Sequence, residues 1–390
     1  MLFTTLAAVA IALSSASASP AEHENKRSAV LPLRRNINIS SIKNLVQSGR
    51  DRIAARHGLK SSDVKRATSG AIKNEDIWYT VPVNIGGTTW NLVLDTGTAN
   101  VWCGVHKACQ KTPTGVATNR EVYAQWGGPD LQGMEYTDNV SFGGLTAKSQ
   151  SLGSASNSTG MYMADGILGL GPVGLTHTTV EGLKTVPTFM NNLKSQGSIS
   201  TEVFGVSYRP EIGGHNNDTN GELTLGGIDT SKFTGPLTYF PTLKTGVNAK
   251  FWGISISKFT YGSTTLSLSA TAMVDTASII TTIPHPAYQA FLVASGAKND
   301  NFTDLPSWTT KPTSNFGITF GSTTYELTPE QYLVPAEQYP LFGIPKGKYY
   351  AWIQDGGKSR DSALIGQRFL EYYYSVFDTT NSRIGFAANS

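Results

Sequence analysis

Two aspartates 180 positions apart carry the chemistry this chain can do. The first stands in Val93-Leu94-Asp95-Thr96-Gly97-Thr98, the second in Met273-Val274-Asp275-Thr276-Ala277-Ser278. In each stretch two apolar residues lead into the Asp, and a Thr, a minimal residue and a hydroxyl follow. The apolar pair reads as a buried strand end, and the small residue lets backbone N–H groups approach the carboxylate. An Asp-Thr-Gly turn after a strand is common, so either Asp alone reads as a turn carboxylate. Two copies at half-chain separation imply a duplicated unit whose halves face each other and bring the carboxylates together. Like charges that close cannot both ionise, so the pair shares a proton and supplies acid and base at once.

The elements that must position such a pair are strands. A chain of 390 residues is long enough for two domains with real cores. Forty Gly, 18 Pro and many Ser and Thr between short β-branched and aromatic runs favour a β-rich architecture. Turns are expected at Asn84-Ile85-Gly86-Gly87 and Phe142-Gly143-Gly144. Helical patterns are few, around Thr188–Ser195, Pro286–Ala294 and Arg368–Tyr374. The Gly- and Asn-rich stretch Gly213–Gly221 follows Val203-Phe204-Gly205-Val206, and the expected division into lobes is 67–205 and 206–390.

Further motifs occur in a fixed order: Asn100-Val101-Trp102, Asp165-Gly166-Ile167-Leu168-Gly169-Leu170-Gly171, Leu225-Gly226-Gly227-Ile228-Asp229 with Phe251-Trp252, and Ala363-Leu364-Ile365-Gly366 with Ile384-Gly385-Phe386-Ala387. Together with the two Asp motifs this set resembles the pepsin-like (A1) aspartic proteases, and fungal secreted members in particular, over residues 75 to 390. The resemblance implies an all-β, bilobal acid protease fold with the active-site cleft between two related lobes. It implies an aspartic-type endopeptidase, a hydrolase that cleaves protein or peptide substrates between bulky apolar residues. Asp95 and Asp275 would be catalytic and hold a water between them. Thr96 and Thr276 would tie the two loops together, with Gly97 and Ala277 offering backbone N–H groups. The Thr98 and Ser278 hydroxyls would bond the outer carboxylate oxygens. Trp102 would support a flap, and Met161 and Met163 would line the specificity pocket, ordinary core packing being equally open for the two methionines. No cofactor and no metal are expected.

Three positions depart from the family pattern. Ala277 replaces the usual Gly; if the site requires φ > 0, the methyl strains it. Spacing puts Trp126 where the flap has a Tyr, with Tyr123 as the nearby alternative; an indole donates but does not accept. Gln367 stands after Gly366 where an acid is common, which removes a carboxylate near the dyad. Ala277 and Trp126 motivate a second reading, a catalytically weak homologue that binds peptides in its cleft.

The N-terminal region reads as processing apparatus. Residues 1–18 are an apolar run ending Ala16-Ser17-Ala18, the shape of a secretory signal peptide. Residues 19–66 carry 11 Lys or Arg against 4 Asp or Glu, a net of +7, whereas 67–390 carry 20 against 24. The total of +3 is therefore a property of one segment, and a nucleic-acid partner is not expected. Ile42, Leu45, Val46 and Ile53 make an apolar stripe at helical spacing, with Lys43, Arg50, Arg52 and Arg56 around it. Lys65-Arg66 is a dibasic processing site. The segment reads as a propeptide that lies in an acidic cleft as an intramolecular inhibitor and puts a basic residue beside the carboxylates, Lys43 being one candidate among several. No run after the signal is long enough to span a bilayer, so a secreted, extracellular monomer is expected. Cys103 and Cys109, the only cysteines, read as one local disulfide. Glycosylation candidates are Asn139, Asn157, Asn217 and Asn301.

Overall fold

The structure is a computed structural model and describes residues 28–37, 42–56, 77–105, 107–109, 111–125, 130–158, 164–211, 213 and 218–390. Strands dominate, in sheets of 13, seven and three strands among the described residues, with a few short helices. The duplication expected from the two Asp motifs is visible in the strand pairings. Strand Thr88–Asp95 pairs in parallel with Gly166–Gly169, which pairs antiparallel with Val101–Cys103. In the second half Thr264–Val274 pairs in parallel with Ala363–Ile365, which pairs antiparallel with Thr281–Ile283. Parallel strands covered on both faces read as continuous apolar runs. Leu92, Val93 and Leu94, and likewise Ala272, Met273 and Val274, are buried without alternation.

The glycines of these motifs answer to close backbone approach. A Cβ on Gly169 would lie 2.5 Å from the Asn100 carbonyl oxygen, and one on Gly366 would lie 2.4 Å from that of Ile280. Asn100 and Ile280 are again 180 positions apart, so the same crossing is built twice. The hairpins expected at Gly86-Gly87 and Gly143-Gly144 are present, and both glycines of each have positive φ, as a type I′ turn needs.

The halves are not separate sheets. The 13-stranded sheet runs from Phe233–Pro241 through Arg383–Asn389, Tyr373–Asp378, Val203–Tyr208 and Thr219–Leu225 to the N-terminal strand Ala29–Ile37, and only then to Ile77–Ile85 and the first Asp strand. The expected lobe division at 205/206 thus lies inside one continuous strand of this sheet. The helices Phe189–Ser195 and His285–Ser295 lie where periodicity put them. The third is shorter than expected. It covers Gln367–Leu370, and Tyr373 already begins a strand, because the sheet claims its backbone opposite Ala388.

The strand Ala29–Ile37 was not foreseen. It is an interior strand, paired to Thr219–Leu225 on one side and Ile77–Ile85 on the other. Ala29, Leu33 and Arg35 point inward and Val30, Pro32 and Arg34 outward, the period of two that a half-buried strand requires. Arg35 is almost fully buried 3.7 Å from Glu371, which also accepts from Arg368 Nη1 at 2.7 Å. A buried guanidinium needs such an anion, since its desolvation is otherwise uncompensated.

The N-terminal helix, Ile42–Arg56, lies across the second half. Ile42, Leu45 and Val46 pack with Ile279, Ile280, Leu305, Trp352 and their neighbours. Ile53 packs separately on Met273 and Leu364. Among the described residues no helix is long and apolar enough to cross a membrane.

Candidate active site

Asp95 ends its strand and Asp275 directly follows Val274, the last residue of its own, at the junction of the two halves, and both are wholly buried. Each carboxylate is held in the same way. Gly97 N–H donates to Asp95 Oδ1 at 2.7 Å and Ala277 N–H to Asp275 Oδ1 at 2.9 Å. The Thr98 hydroxyl donates to Asp95 Oδ2 at 2.6 Å and the Ser278 hydroxyl to Asp275 Oδ2 at 2.8 Å. Beneath them the threonines exchange bonds between the loops. Thr96 N–H donates to Thr276 Oγ1 and Thr276 N–H to Thr96 Oγ1, each at 3.0 Å. The Thr96 hydroxyl donates to the Val274 carbonyl at 3.0 Å and the Thr276 hydroxyl to that of Leu94 at 2.9 Å. Four buried hydrogen bonds cross between the loops, so each loop fixes the other.

Neither Gly97 nor Ala277 has positive φ. The strain anticipated for an alanine in the second motif is therefore absent, because its backbone lies where any L-residue is allowed. The Ala277 methyl is buried among Trp78, Val93, Val122, Ala124 and their neighbours. Gln367 is fully buried and donates from Nε2 to the Thr276 carbonyl at 2.8 Å, while its N–H donates to the Ser278 carbonyl at 2.6 Å. It buttresses the second loop through an amide.

A basic residue of the N-terminal helix sits between the carboxylates. Arg52 Nη2 lies 3.1 Å from Asp95 Oδ1 and 3.2 Å from Asp275 Oδ1, and Arg52 Nε lies 3.0 Å from Asp275 Oδ2. The candidate Lys43 is instead exposed. Helix geometry explains the correction: Arg52 comes seven residues after Leu45 and shares its buried face, whereas Lys43 points nearly opposite. A basic residue in register with an apolar stripe was the available signal. Arg56, further along the helix, donates to the carbonyls of Ala363 and Asp361, each at 3.4 Å.

Burial holds the Asp275 carboxyl above the ordinary carboxylate range of 3.8. Arg52 opposes that shift, the nearby Asp95 adds to it, and the Ala277 N–H and Ser278 hydroxyl oppose it further. Asp275 is thus disposed to hold a proton. In that state an ionised carboxylate can take a proton from a water between the two, and the protonated one can donate to a peptide carbonyl or leaving nitrogen.

Trp102 is wholly buried and packs with Val122, Ala124 and Leu131, on the two strands of the hairpin Val116–Gln125 and Asp130–Phe142. Tyr123 lies on that hairpin, 41% exposed, its N–H bonded to the Thr179 carbonyl at 2.8 Å. The tip, with Trp126, lies outside the described residues, as do Met161, Met163, Lys65, Arg66, Asn217 and the side chain of Asn157. Cys103 and Cys109 form a disulfide with Cα atoms 5.7 Å apart. Asn301 is exposed and Asn139 is half-buried.

Two loops offered by two halves of one chain, each presenting a carboxylate held by an N–H and a hydroxyl, define an aspartic protease site. The eukaryotic aspartyl protease family model matches residues 78–389, and the chain belongs to that family. It is similar to polyporopepsin from Irpex lacteus, 40% identical over 81% of this chain and 96% of that one. Rhizopuspepsin-1 from Rhizopus niveus is 29% identical over 96% of each chain. The crystal structure of the aspartic proteinase from Irpex lacteus superposes with a TM-score of 0.78 at 34% identity, covering 93% of this chain and 98% of that one. The protein is a pepsin-like aspartic endopeptidase.

Proposed function

We propose that this endopeptidase is made as a secreted zymogen, in which residues 19–66 are an intramolecular inhibitor and cleavage after Lys65-Arg66 yields the mature enzyme. The mature enzyme hydrolyses unfolded protein between bulky apolar residues at acidic pH. The observation that carries this reading is Arg52, whose guanidinium takes the place between Asp95 and Asp275 that an attacking water needs. The Ile42–Val46 turn of the same helix fills an apolar groove that begins at Ile279, directly after the Ser278 that holds Asp275. Acid weakens the clamp by its chemistry: the raised Asp275 carboxyl is protonated before an ordinary Asp, and a neutral carboxyl no longer attracts Arg52.

The test is hydrolysis of denatured haemoglobin at low pH. Activity is expected to be lost in Asp95→Asn and with a statine-type inhibitor, and sequencing of the mature protein should begin at or near Ala67. Fully active protein that still starts at Ser19 would overturn the zymogen. Arg52→Gln should process itself sooner than the natural precursor after acidification; unchanged kinetics would remove Arg52 as the clamp. The peptide-binding alternative draws no support from Ala277, whose N–H keeps its bond to Asp275.

A further inference from the structure

Two residues before the arginine on the dyad, a second arginine is gripped by groups of the enzyme body that catalysis does not use. Arg50 Nη1 bonds Asp304 Oδ2. With the Gln354 amide oriented to satisfy both its ends, Oε1 accepts from Arg50 Nε and Nη2 at 3.2 Å each, and Nε2 donates to the Val46 carbonyl at 3.1 Å. All three nitrogens of one guanidinium are thus met, by a carboxylate and an amide oxygen, the planar pattern that suits Arg better than Lys.

The receptor is built by the enzyme body, not by the helix it holds. Asp304 closes a short turn whose start, Asp300, caps the N–H groups of Phe302 and Thr303 at 3.1 and 2.9 Å and is itself bonded by Lys348 at 2.8 Å. Asp304 has φ 59°, a left-handed backbone that Asp tolerates better than most residues. Its other oxygen, Oδ1, accepts from Asn299 Nδ2 at 2.8 Å, and Asn299 Oδ1 accepts from the buried Tyr288 hydroxyl at 2.7 Å. Gln354 is fully buried in the strand Ile353–Asp355, opposite Thr282, seven residues beyond Asp275. None of these contacts depends on the N-terminal segment. Once that segment leaves, Asp304 is still held by Asn299 and presents a fixed carboxylate beside the apolar floor of Ile279, Ile280, Leu305 and Trp352. The Gln354 amide loses Arg50 and Val46 as partners and can turn its oxygen to an incoming donor.

We infer that Asp304 and Gln354 form a specificity subsite of the mature enzyme that selects a basic side chain, Arg above Lys, a few residues from the scissile bond. The inference rests on the zymogen reading, in which Arg50 occupies the subsite before activation. Arg50 and Arg52 are about 3 Å apart along the helix axis. Around that axis they are about 200° apart, so their side chains leave the helix on nearly opposite sides. The subsite and the dyad are separated by the helix and two arginine side chains, on the order of 15 Å, a span an extended peptide covers in roughly four or five residues. A guanidinium arriving there replaces water on a partly buried anion and a buried amide, and a neutral side chain leaves both without their donors.

The test uses mature enzyme and peptides with one apolar scissile pair, in which Arg or its uncharged isostere citrulline is moved through the flanking positions. At one position Arg should exceed citrulline by about tenfold in kcat/KM, and Asp304→Asn should bring the Arg peptide to within about twofold of the citrulline one. Lys at that position should fall between the two. Absence of any charge preference, or a preference that survives Asp304→Asn, overturns the subsite and leaves Arg50–Asp304 as a pin for the N-terminal helix alone. The same peptides titrated onto inert mature Asp95→Asn give the readout in binding, with the same two outcomes. If no peptide is cleaved, the proteolytic reading fails by itself, and the binding arm still decides the subsite.

Discussion

The two catalytic loops are equal in hydrogen bonds and unequal in space. Each holds its Asp by one N–H and one hydroxyl, and each lends its Thr to the other. At the small residue they part. A Cβ on Gly97 would lie 2.9 Å from Arg52 Nη2 and 3.1 Å from Asp95 Oδ1, whereas the methyl of Ala277 is already seated among apolar side chains. The glycine of the first loop is thus kept by crowding around the carboxylates and the arginine, since φ demands it in neither loop. Duplication fixed the bonding pattern; the neighbours of each copy decided which side chain fits.

The largest effect tests the equality. Asp95→Ala and Asp275→Ala should each lower turnover on a peptide substrate by at least about a thousandfold, because one carboxylate cannot fill both protonation roles. Substantial turnover in either variant would refute the dyad, and loss in only one would break the symmetry. Both proteins should still be folded by circular dichroism.

The crossed threonines come next. Thr96→Val and Thr276→Val should each destabilise the protein by about 2–3 kcal/mol in denaturant unfolding, since each strips a buried N–H and a buried carbonyl of their partners. The double variant should cost less than the sum, because both substitutions break one shared network. Strict additivity would mean the loops are held independently.

The inequality is tested at the small residue. Gly97→Ala should weaken inhibition by a peptide of residues 42–56 and lower mature turnover by about tenfold, because the neighbouring oxygen must give by a few tenths of an ångström. Ala277→Gly should change turnover less than tenfold, or about 1.4 kcal/mol of barrier. A rise of a hundredfold in kcat for Ala277→Gly would show that the methyl crowds the site, and would restore the peptide-binding alternative.

The smallest effect is in the pH dependence of stability. A carboxyl whose folded pKa is raised favours the folded state below its ordinary value of 3.8, and that contribution is lost as pH rises through the raised value. The stability of Asp275→Asn should therefore decline less from about pH 4 upward than that of the natural chain. Parallel profiles would show that Asp275 does not titrate as its burial implies.

Much of this was legible without coordinates, for physical reasons that differ by region. The Asp motifs, the double-glycine hairpins and the Gly169 and Gly366 crossings are local demands, written as residue types at short spacing. The strand Ala29–Ile37 was hidden because Pro32 and the pair Arg34-Arg35 argue against an interior strand. Its burial becomes sensible only once Glu371, more than 300 residues on, lies beside Arg35.

The sequence by itself determined that two Asp-Thr units face each other and that an amphipathic basic helix precedes them, because periodicity and motif spacing are properties of the chain. Tertiary structure decided which arginine meets the dyad, which meets Asp304 and Gln354, and why Ala277 is tolerated. Those outcomes depend on groups brought from distant positions into contact at hydrogen-bonding and van der Waals distance. There a displacement of an ångström separates a bond from a clash, and no spacing within the chain records it.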